Sequence, residues 1–224
     1  FTFAEDNSLL VDFSGYISDI DEDALTLSVT DNDSVTVDIV NFDITFGSVQ
    51  DWNGTEIVTF TVNDDQGRLV ATDEVDIIVT PVNDAPVLGS IGAQSTPEDT
   101  LLTILLSAED VDDIDLVFSV SSNNNAVTVS IVEDELSMTP ALNYNGDSEI
   151  TVTVSDGILT DEETFVLTVT PVNDPPTISL PESFTFAEDN SLLVDFSGYI
   201  SDIDEDALTL SVTDNDSVTV EIVN

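Results

Sequence analysis

The sequence predicts an all-β chain of tandem antiparallel β-sandwiches arranged as a linear array, and three observations predict it. Apolar and polar residues alternate through Leu25-Thr26-Leu27-Ser28-Val29, Val35-Thr36-Val37-Asp38-Ile39 and Ile150-Thr151-Val152-Thr153-Val154, the pattern of a strand with one face buried. Strand-length runs rich in β-branched residues recur at about 8–12-residue intervals, separated by Asn, Asp, Gly and Ser, as in a sandwich. The sequence also repeats itself. Apolar spacing nowhere settles to the helical period, so no helix is expected.

Taken in order, residues 1–41 return at 184–224, 183 positions later, with Asp38 replaced by Glu221 as the only difference. Within that cycle Pro81-Val82-Asn83-Asp84-Ala85-Pro86 returns as Pro171-Val172-Asn173-Asp174-Pro175-Pro176, 90 residues on. The cycle is therefore two related units. Ala4-Glu5-Asp6 matches Pro97-Glu98-Asp99, and Asp19-Ile20-Asp21-Glu22 matches Asp110-Val111-Asp112-Asp113. Trp52-Asn53-Gly54 matches Tyr144-Asn145-Gly146, and Thr61-Val62-Asn63-Asp64 matches Thr153-Val154-Ser155-Asp156. The first unit carries two extra loop residues around Gln66-Gly67. About seven short strands fit each unit. The expected domains are 1–83, a sandwich without the counterpart of Pro176-Thr177-Ile178-Ser179-Leu180; 84–174, a second sandwich; and 175–224, the amino-terminal half of a third. Half a sandwich exposes an open core and unpaired strand edges. The expectation is a window on a longer array, or a last unit completed by a neighbouring molecule.

Composition excludes several functions. The 224 residues include 47 Asp and Glu, one Arg, and no Lys, His or Cys, for a net charge of −46. Disulfides, Cys/His zinc sites, Ser-His and Cys-His nucleophile pairs and lysine Schiff bases are impossible. Arg68 alone gives no basic footprint for nucleic acid or an anionic membrane surface. No apolar run reaches the ~20 residues of a spanning helix, and no signal peptide is visible. Acidic disordered tails are apolar-poor. This chain is 41% hydrophobic, with mean hydropathy +0.16, and can bury cores.

The acids gather at unit boundaries and in loops. The first junction offers Asn83, Asp84, Glu98, Asp99, Asp110, Asp112, Asp113 and Asp156; the second offers Asn173, Asp174, Glu188, Asp189, Asp202 and Asp204. An Asp-x-Asp loop puts two carboxylates on one side of an extended segment. With a bidentate Glu and an Asn or carbonyl oxygen this reaches the six to eight oxygens, roughly, that Ca2+ prefers. A divalent cation turns the repulsion of crowded carboxylates into attraction. Solvated loop acids are the plain alternative, but their recurrence at matching positions beside each linker favours metal. No EF-hand spacing is present.

The Pro-Val-Asn-Asp-Ala-Pro linker, the Glu-Asp pair about a dozen residues later, Ser18-Asp19-Ile20-Asp21, Asn143-Tyr144-Asn145-Gly146 and Val154-Ser155-Asp156-Gly157 together resemble the tandem cadherin-like repeats of large bacterial surface adhesins. The resemblance covers nearly the whole chain. It implies Ig-like sandwiches in a string, Ca2+ at the junctions, an extracellular or cell-surface location, and a role in adhesion or as a stalk. Carried over by position, it puts Glu98, Asp110, Asp112, Asp156, Asn83 and Asp84 at the first junction. It puts Glu188, Asp202, Asp204, Asn173 and Asp174 at the second, and Glu5, Asp19, Asp21 and Asp64 at the amino-terminal pole. The counterpart of Asp64 at the second junction would be position 64 + 183 = 247, outside the 224 residues.

Trp52 and Tyr144 fit corner packing better than a sugar platform. Asn53-Gly54 and Asn145-Gly146 fit turns, where Asn and Gly tolerate positive φ. Asn32, Asn53 and Asn215 begin glycosylation sequons, which matter only in a secretory host. Carboxylate pairs serve glycosidases and aspartic proteases, but these lie at poles rather than in a cleft, so no enzyme is expected. Pro81, Pro86, Pro171, Pro175 and Pro176 make the linkers short and stiff. Without Lys or Cys, neither isopeptide nor disulfide staples are available, which leaves metal. The expected function is a structural segment of a secreted repetitive adhesin or surface filament, rigidified by Ca2+. Its partners would be neighbouring repeats of the same chain or head-to-tail copies. The alternative is an extracellular glycan- or protein-binding module.

Overall fold

The computed structural model describes all residues except Asp31, Asp65, Gly67, Arg68, Leu69, Asp214, Asn215, Asp216 and Asn224. The lone arginine, Gly67 of the insertion, the Asn215 sequon and the final Asn224 of the duplicated segment thus lie outside the described residues. Among the described residues every regular element is a strand, as the sequence predicts.

Alternation explains where each strand's side chains go. The first strands are β1 (Thr2–Ala4), β2 (Leu9–Asp12), β3 (Thr26–Thr30), β4 (Val35–Val40), β5 (Asp43–Ser48), β6 (Gly54–Asn63) and β7 (Val70–Thr80). They form two sheets, ordered β1-β7-β6-β3 and β2-β5-β4. One face of each closes on Phe3, Phe13, Val35, Ile44, Phe46, Val58, Phe60, Ile77 and Val79, all buried. Each such side chain contributes about 1.5–3 kcal/mol through burial. Phe13 and Phe60 centre the cluster, with rings 4.9 Å apart.

The following strands are β8 (Val87–Leu88), β9 (Gln94–Pro97), β10 (Leu102–Leu105), β11 (Ala108–Glu109), β12 (Val117–Ser122), β13 (Val127–Val132), β14 (Glu135–Pro140), β15 (Gly146–Ser155) and β16 (Thr160–Thr170). Sheets β10-β14-β13 and β12-β15-β16-β9 repeat the first architecture. Leu136, Met138, Ile150, Val152, Val154, Phe165, Leu167 and Val169 are buried between them. The chain divides into two compact units. One comprises Phe1–Val87, Ala108–Val117 and Ser155–Asp161; the other comprises Leu88–Ser107, Phe118–Val154 and Glu162–Asn224.

Not all pairing is antiparallel. β1 runs parallel to β7, with Thr2 opposite Ile78 and Ala4 opposite Thr80. β9 likewise runs parallel to β16, with Pro97 opposite Thr170. A parallel partner lies far along the chain, and alternation carries no sign of direction. This detail decides the site.

The third segment behaves differently from its copy. Among its described residues only β17 (Thr177–Ile178) and β18 (Ile200–Ser201) form, paired antiparallel. Residues 185–187, 192–195 and 209–213, copies of β1, β2 and β3, are not strands. In the first copy β1 pairs with β7, β2 and β4 with β5, and β3 with β6. Identical residues therefore become strand where those partners stand beside them. The local turns survive in both copies. Ser14 N donates to Asp12 Oδ1 at 2.8 Å and Ser197 N to Asp195 Oδ1 at 2.9 Å. Both Asp carboxyls are thereby held below the usual carboxylate range, Asp12 chiefly by the Ser14 hydroxyl and Asp195 chiefly by the Ser197 amide.

Candidate metal centre

The parallel pairing of β1 and β7 brings Glu5 to the end where β7 enters the linker. Glu5 N donates to Thr80 O at 3.0 Å. The Glu5 carboxylate, only 1% exposed, accepts from Val82 N at 2.6 Å through Oε1 and from Asn53 Nδ2 at 3.5 Å through Oε2. The chain then turns through Asp6 in the left-handed region, φ 58°. Asp51, also left-handed at φ 55°, precedes the Trp52 corner. Carboxylate oxygens of Asp6, Asp51 and Asp84 all lie within 4.8 Å of one another.

The linker organises the remaining acids of this first unit. Asp84 N donates to Asp112 Oδ2 at 2.8 Å. Asp112 N and Asp113 N donate to Asp110 Oδ1 at 2.8 and 2.9 Å, so the Asp-x-Asp loop folds back on its first carboxylate. Asn83 Nδ2 donates to Asp156 Oδ2 at 2.7 Å, and Asp156 Oδ1 accepts from Ile158 N and Leu159 N. These bonds hold the Asp156 carboxyl below the usual range, the Asn83 side chain most strongly. Asp84 is pushed the other way, by desolvation first and then by Asp51, Asp6, Asp112 and Glu5. Oδ2 of Asp84 and Oδ2 of Asp110 are buried without a hydrogen-bond partner among the described residues. A buried Asp84 oxygen without a donor, on a carboxylate that meets those of Asp6 and Asp51, fits a hard divalent cation. No nitrogen or sulfur ligand competes, as a softer metal would favour.

The second unit repeats the arrangement. Glu98, 4% exposed, accepts from Val172 N, and Glu98 N donates to Thr170 O at 2.9 Å. Asp174 N donates to Asp204 Oδ2 at 2.7 Å, and Asp204 N to Asp202 Oδ1 at 3.0 Å. Asn173 Nδ2 caps Asp174 O at 3.0 Å. The Asp174 carboxyl is raised by desolvation first, then by Asp204, Asp99, Glu98 and Asp202. Asn143 occupies the position of Asp51, with φ 54°, and its amide donates to Asp99 Oδ1 at 2.8 Å.

The structure thus brings together Asn83, Asp84, Asp110, Asp112 and Asp156, and separately Asn173, Asp174, Asp202 and Asp204. It corrects the placement of the glutamates. Glu98 joins the linker that follows its unit, at Val172, rather than Asn83 and Asp84. Glu5 joins Asn83 and Asp84 rather than Asp19, Asp21 and Asp64. Asp64 follows the far end of the ten-residue β6, where Thr26 faces Asn63, whereas Gly54 at the near end faces Val79. That strand separates the two groups by about 30 Å. Asp21 N donates to Asp19 Oδ1 at 2.8 Å and Gln66 N to Asp64 Oδ1 at 2.9 Å, closing local turns. Glu188 is exposed and its carbonyl takes Asn190 Nδ2 at 3.1 Å, a local turn like that of Glu5 and Asn7. The physical reason is the parallel first strand, which links residues more than seventy positions apart. Asp6, Asp51 and Asn53 were missed for the same cause. Their one sequence signal is adjacency to Glu5 and to the Trp52 corner, both repeated in the second unit. The corner itself packs as expected. A Cβ on Gly54, φ 148°, would stand 3.0 Å from Trp52 Cζ2, and one on Gly146, φ 136°, 3.2 Å from the Tyr144 hydroxyl. Positive φ falls on Asp51 and Gly54, not on Asn53.

Residues 82–170 match the family described as Cadherin-like domain, in keeping with the sandwich that spans them. No curated protein matches the sequence. Among solved structures the chain is similar to human protocadherin-24 EC1-2, at 16% identity and TM-score 0.45, covering 68% of this chain and 85% of that one. It is also similar to protocadherin gamma B2 extracellular cadherin domains 1–5, at 17% identity and TM-score 0.44, covering 70% and 34%. An endo-fucoidan hydrolase of glycoside hydrolase family 107 matches at 20% identity and TM-score 0.33, over 77% of this chain and 27% of that enzyme. The chain therefore spans about a quarter of that enzyme's length.

Proposed function

We propose that this chain is a structural segment of a secreted repetitive adhesin or cell-surface filament, its sandwich units stiffened by Ca2+ at each linker. The observation that supports the reading most is the surround of Asp84. Three carboxylates converge within 4.8 Å, and two buried oxygens, on Asp84 and Asp110, have no donor. Glu5, Asp6, Asp51, Asp84, Asp110 and Asp112 would hold the cation, and Asn83 with Asp156 would steady the linker. Bound Ca2+ would supply the positive charge that lets these anions share one site. The matching cadherin-like domain supports an extracellular adhesion-type module. This reading assigns no catalytic residue. Trp52 and Tyr144 are half-buried against their glycines, which supports corner packing over the glycan-binding alternative.

The test is thermal melting and small-angle scattering of the full chain in Ca2+ and in chelator. The expected result is a higher melting temperature and a longer, better-defined particle with Ca2+. No response of either quantity to Ca2+ overturns the mechanism.

A further inference from the structure

The two linkers are built on one plan and differ at one position that faces the acids. Asp6, Asp51 and Asp84 of the first unit correspond to Asp99, Asn143 and Asp174 of the second. Glu5 and Glu98 correspond as well, accepting from Val82 N and Val172 N. Asp84 N donates to Asp112 Oδ2 at 2.8 Å, and Asp174 N to Asp204 Oδ2 at 2.7 Å. The corner residue holds the same left-handed backbone in both units, φ 55° at Asp51 and 54° at Asn143. A carboxylate in one unit is thus an amide in the other, with no change in the backbone that presents it.

That exchange alters the charge gathered at the linker. The carboxylates of Asp6 and Asp51 lie within 4.8 Å of that of Asp84, and no other three acids converge so closely among the described residues. Oδ2 of Asp84 is buried there without a donor. Of the anions around Asp84, Asp51 acts on it most strongly. Asp174 faces Asp204, Asp99, Glu98 and Asp202. At its corner stands the neutral Asn143, whose backbone amide donates to Asp99 Oδ1 at 2.8 Å.

We propose that the two linkers take up Ca2+ at different concentrations, the first before the second, and that Asp51 against Asn143 sets the order. The inference rests on the reading of both linkers as Ca2+ sites. An asparagine oxygen can coordinate Ca2+, but it brings no charge, and ligand charge tunes such sites over decades of affinity. The gap between the two linkers should be about tenfold or more. One chain then carries two calcium thresholds.

The test is calorimetric titration of the full chain with calcium chloride, with uptake counted by equilibrium dialysis. The expected result is two classes of site about tenfold or more apart. Asp84→Asn should abolish the tight class and Asp174→Asn the weak one. Asp51→Asn should move the tight class onto the weak one, and Asn143→Asp should tighten the weak class toward the other. The last variant gains affinity, so a failure to fold cannot imitate its effect. A single class in the wild type overturns the inference and leaves the Ca2+ reading standing. A tight class unmoved by Asp51→Asn, or a weak class unmoved by Asn143→Asp, overturns it in the same way. No calcium uptake in dialysis overturns both.

Discussion

Asp84 of the linker and Asp156, whose carboxylate the linker's Asn83 reaches, shift in opposite directions for physical reasons. Asp156 receives the Asn83 amide and backbone N–H groups, which favour its anion. Asp84 loses water and faces other anions, which favours its acid form. A carboxyl raised in the fold weakens folding above its raised value. That penalty disappears as pH falls toward 3.8, the ordinary value. A carboxyl lowered in the fold contributes stability above 3.8, which is lost as pH drops through its lowered value. In chelator, melting temperature should therefore rise as pH falls from neutrality toward that value, through Asp84 and Asp174, and fall below it through Asp156, Asp12 and Asp195. Comparison of the wild type with D84N/D174N isolates the first limb, which the double variant should flatten. With Ca2+ present the same carboxylates become ligands and the sign reverses. Asp84→Asn should then lower the melting temperature while raising it in chelator. Asp110→Asn and Asp112→Asn should lower it only when Ca2+ is present. Each tenfold loss of ion affinity removes about 1.4 kcal/mol of the saturating stabilisation, readable from calcium titrations followed by melting.

At the scale of the element, the strand after each linker shows how far pattern reading goes. The strands predicted at 25–29, 35–39 and 150–154 fall within one residue of β3, inside β4 and inside β15. The direction of β1 was illegible, because side chains alternate identically in parallel and antiparallel strands. That one unread property moved Glu5 and Glu98 from one pole to the other and hid Asp6 and Asp51. The linker acids and the Asp-x-Asp loops were legible, since their partners lie within about thirty residues and their spacing is repeated. Two measurements belong here. Gly54→Ala adds a Cβ against Trp52 at positive φ and should cost more than about 1 kcal/mol in denaturant unfolding. Amide exchange of dilute chain should show β4 protected and residues 218–222 open. Peptides spanning position 38 or 221 separate by mass, because that is where the two copies differ.

For the whole molecule the governing quantity is the charge of −46 on 224 residues. Such self-repulsion loosens a folded chain and is screened by salt, with a Debye length of about 10 Å at 0.1 M. Sodium chloride added in chelator should therefore raise melting temperature steadily. Millimolar Ca2+ should raise it further than the same ionic strength of sodium, because converging carboxylates bind the ion rather than merely feel its atmosphere. Equal effects at matched ionic strength would leave the acids as a diffuse charge and remove the site at Asp84.

The duplicated segment separates what sequence determines from what tertiary structure decides. In both copies residues 12–14, 13–16 and 19–23 make the same turns, and Asp6 and Asp189 take the same left-handed backbone, φ 58° and 61°. Those bonds close within four residues, so the local sequence suffices for them. Strands β1, β2 and β3 exist only in the copy beside β5–β7, because a strand's backbone groups are satisfied by another strand. The carboxylate cluster at Asp84 belongs to the second category. Its acids are written in the sequence, and their meeting depends on a parallel ladder joining Ala4 to Thr80 across the whole unit.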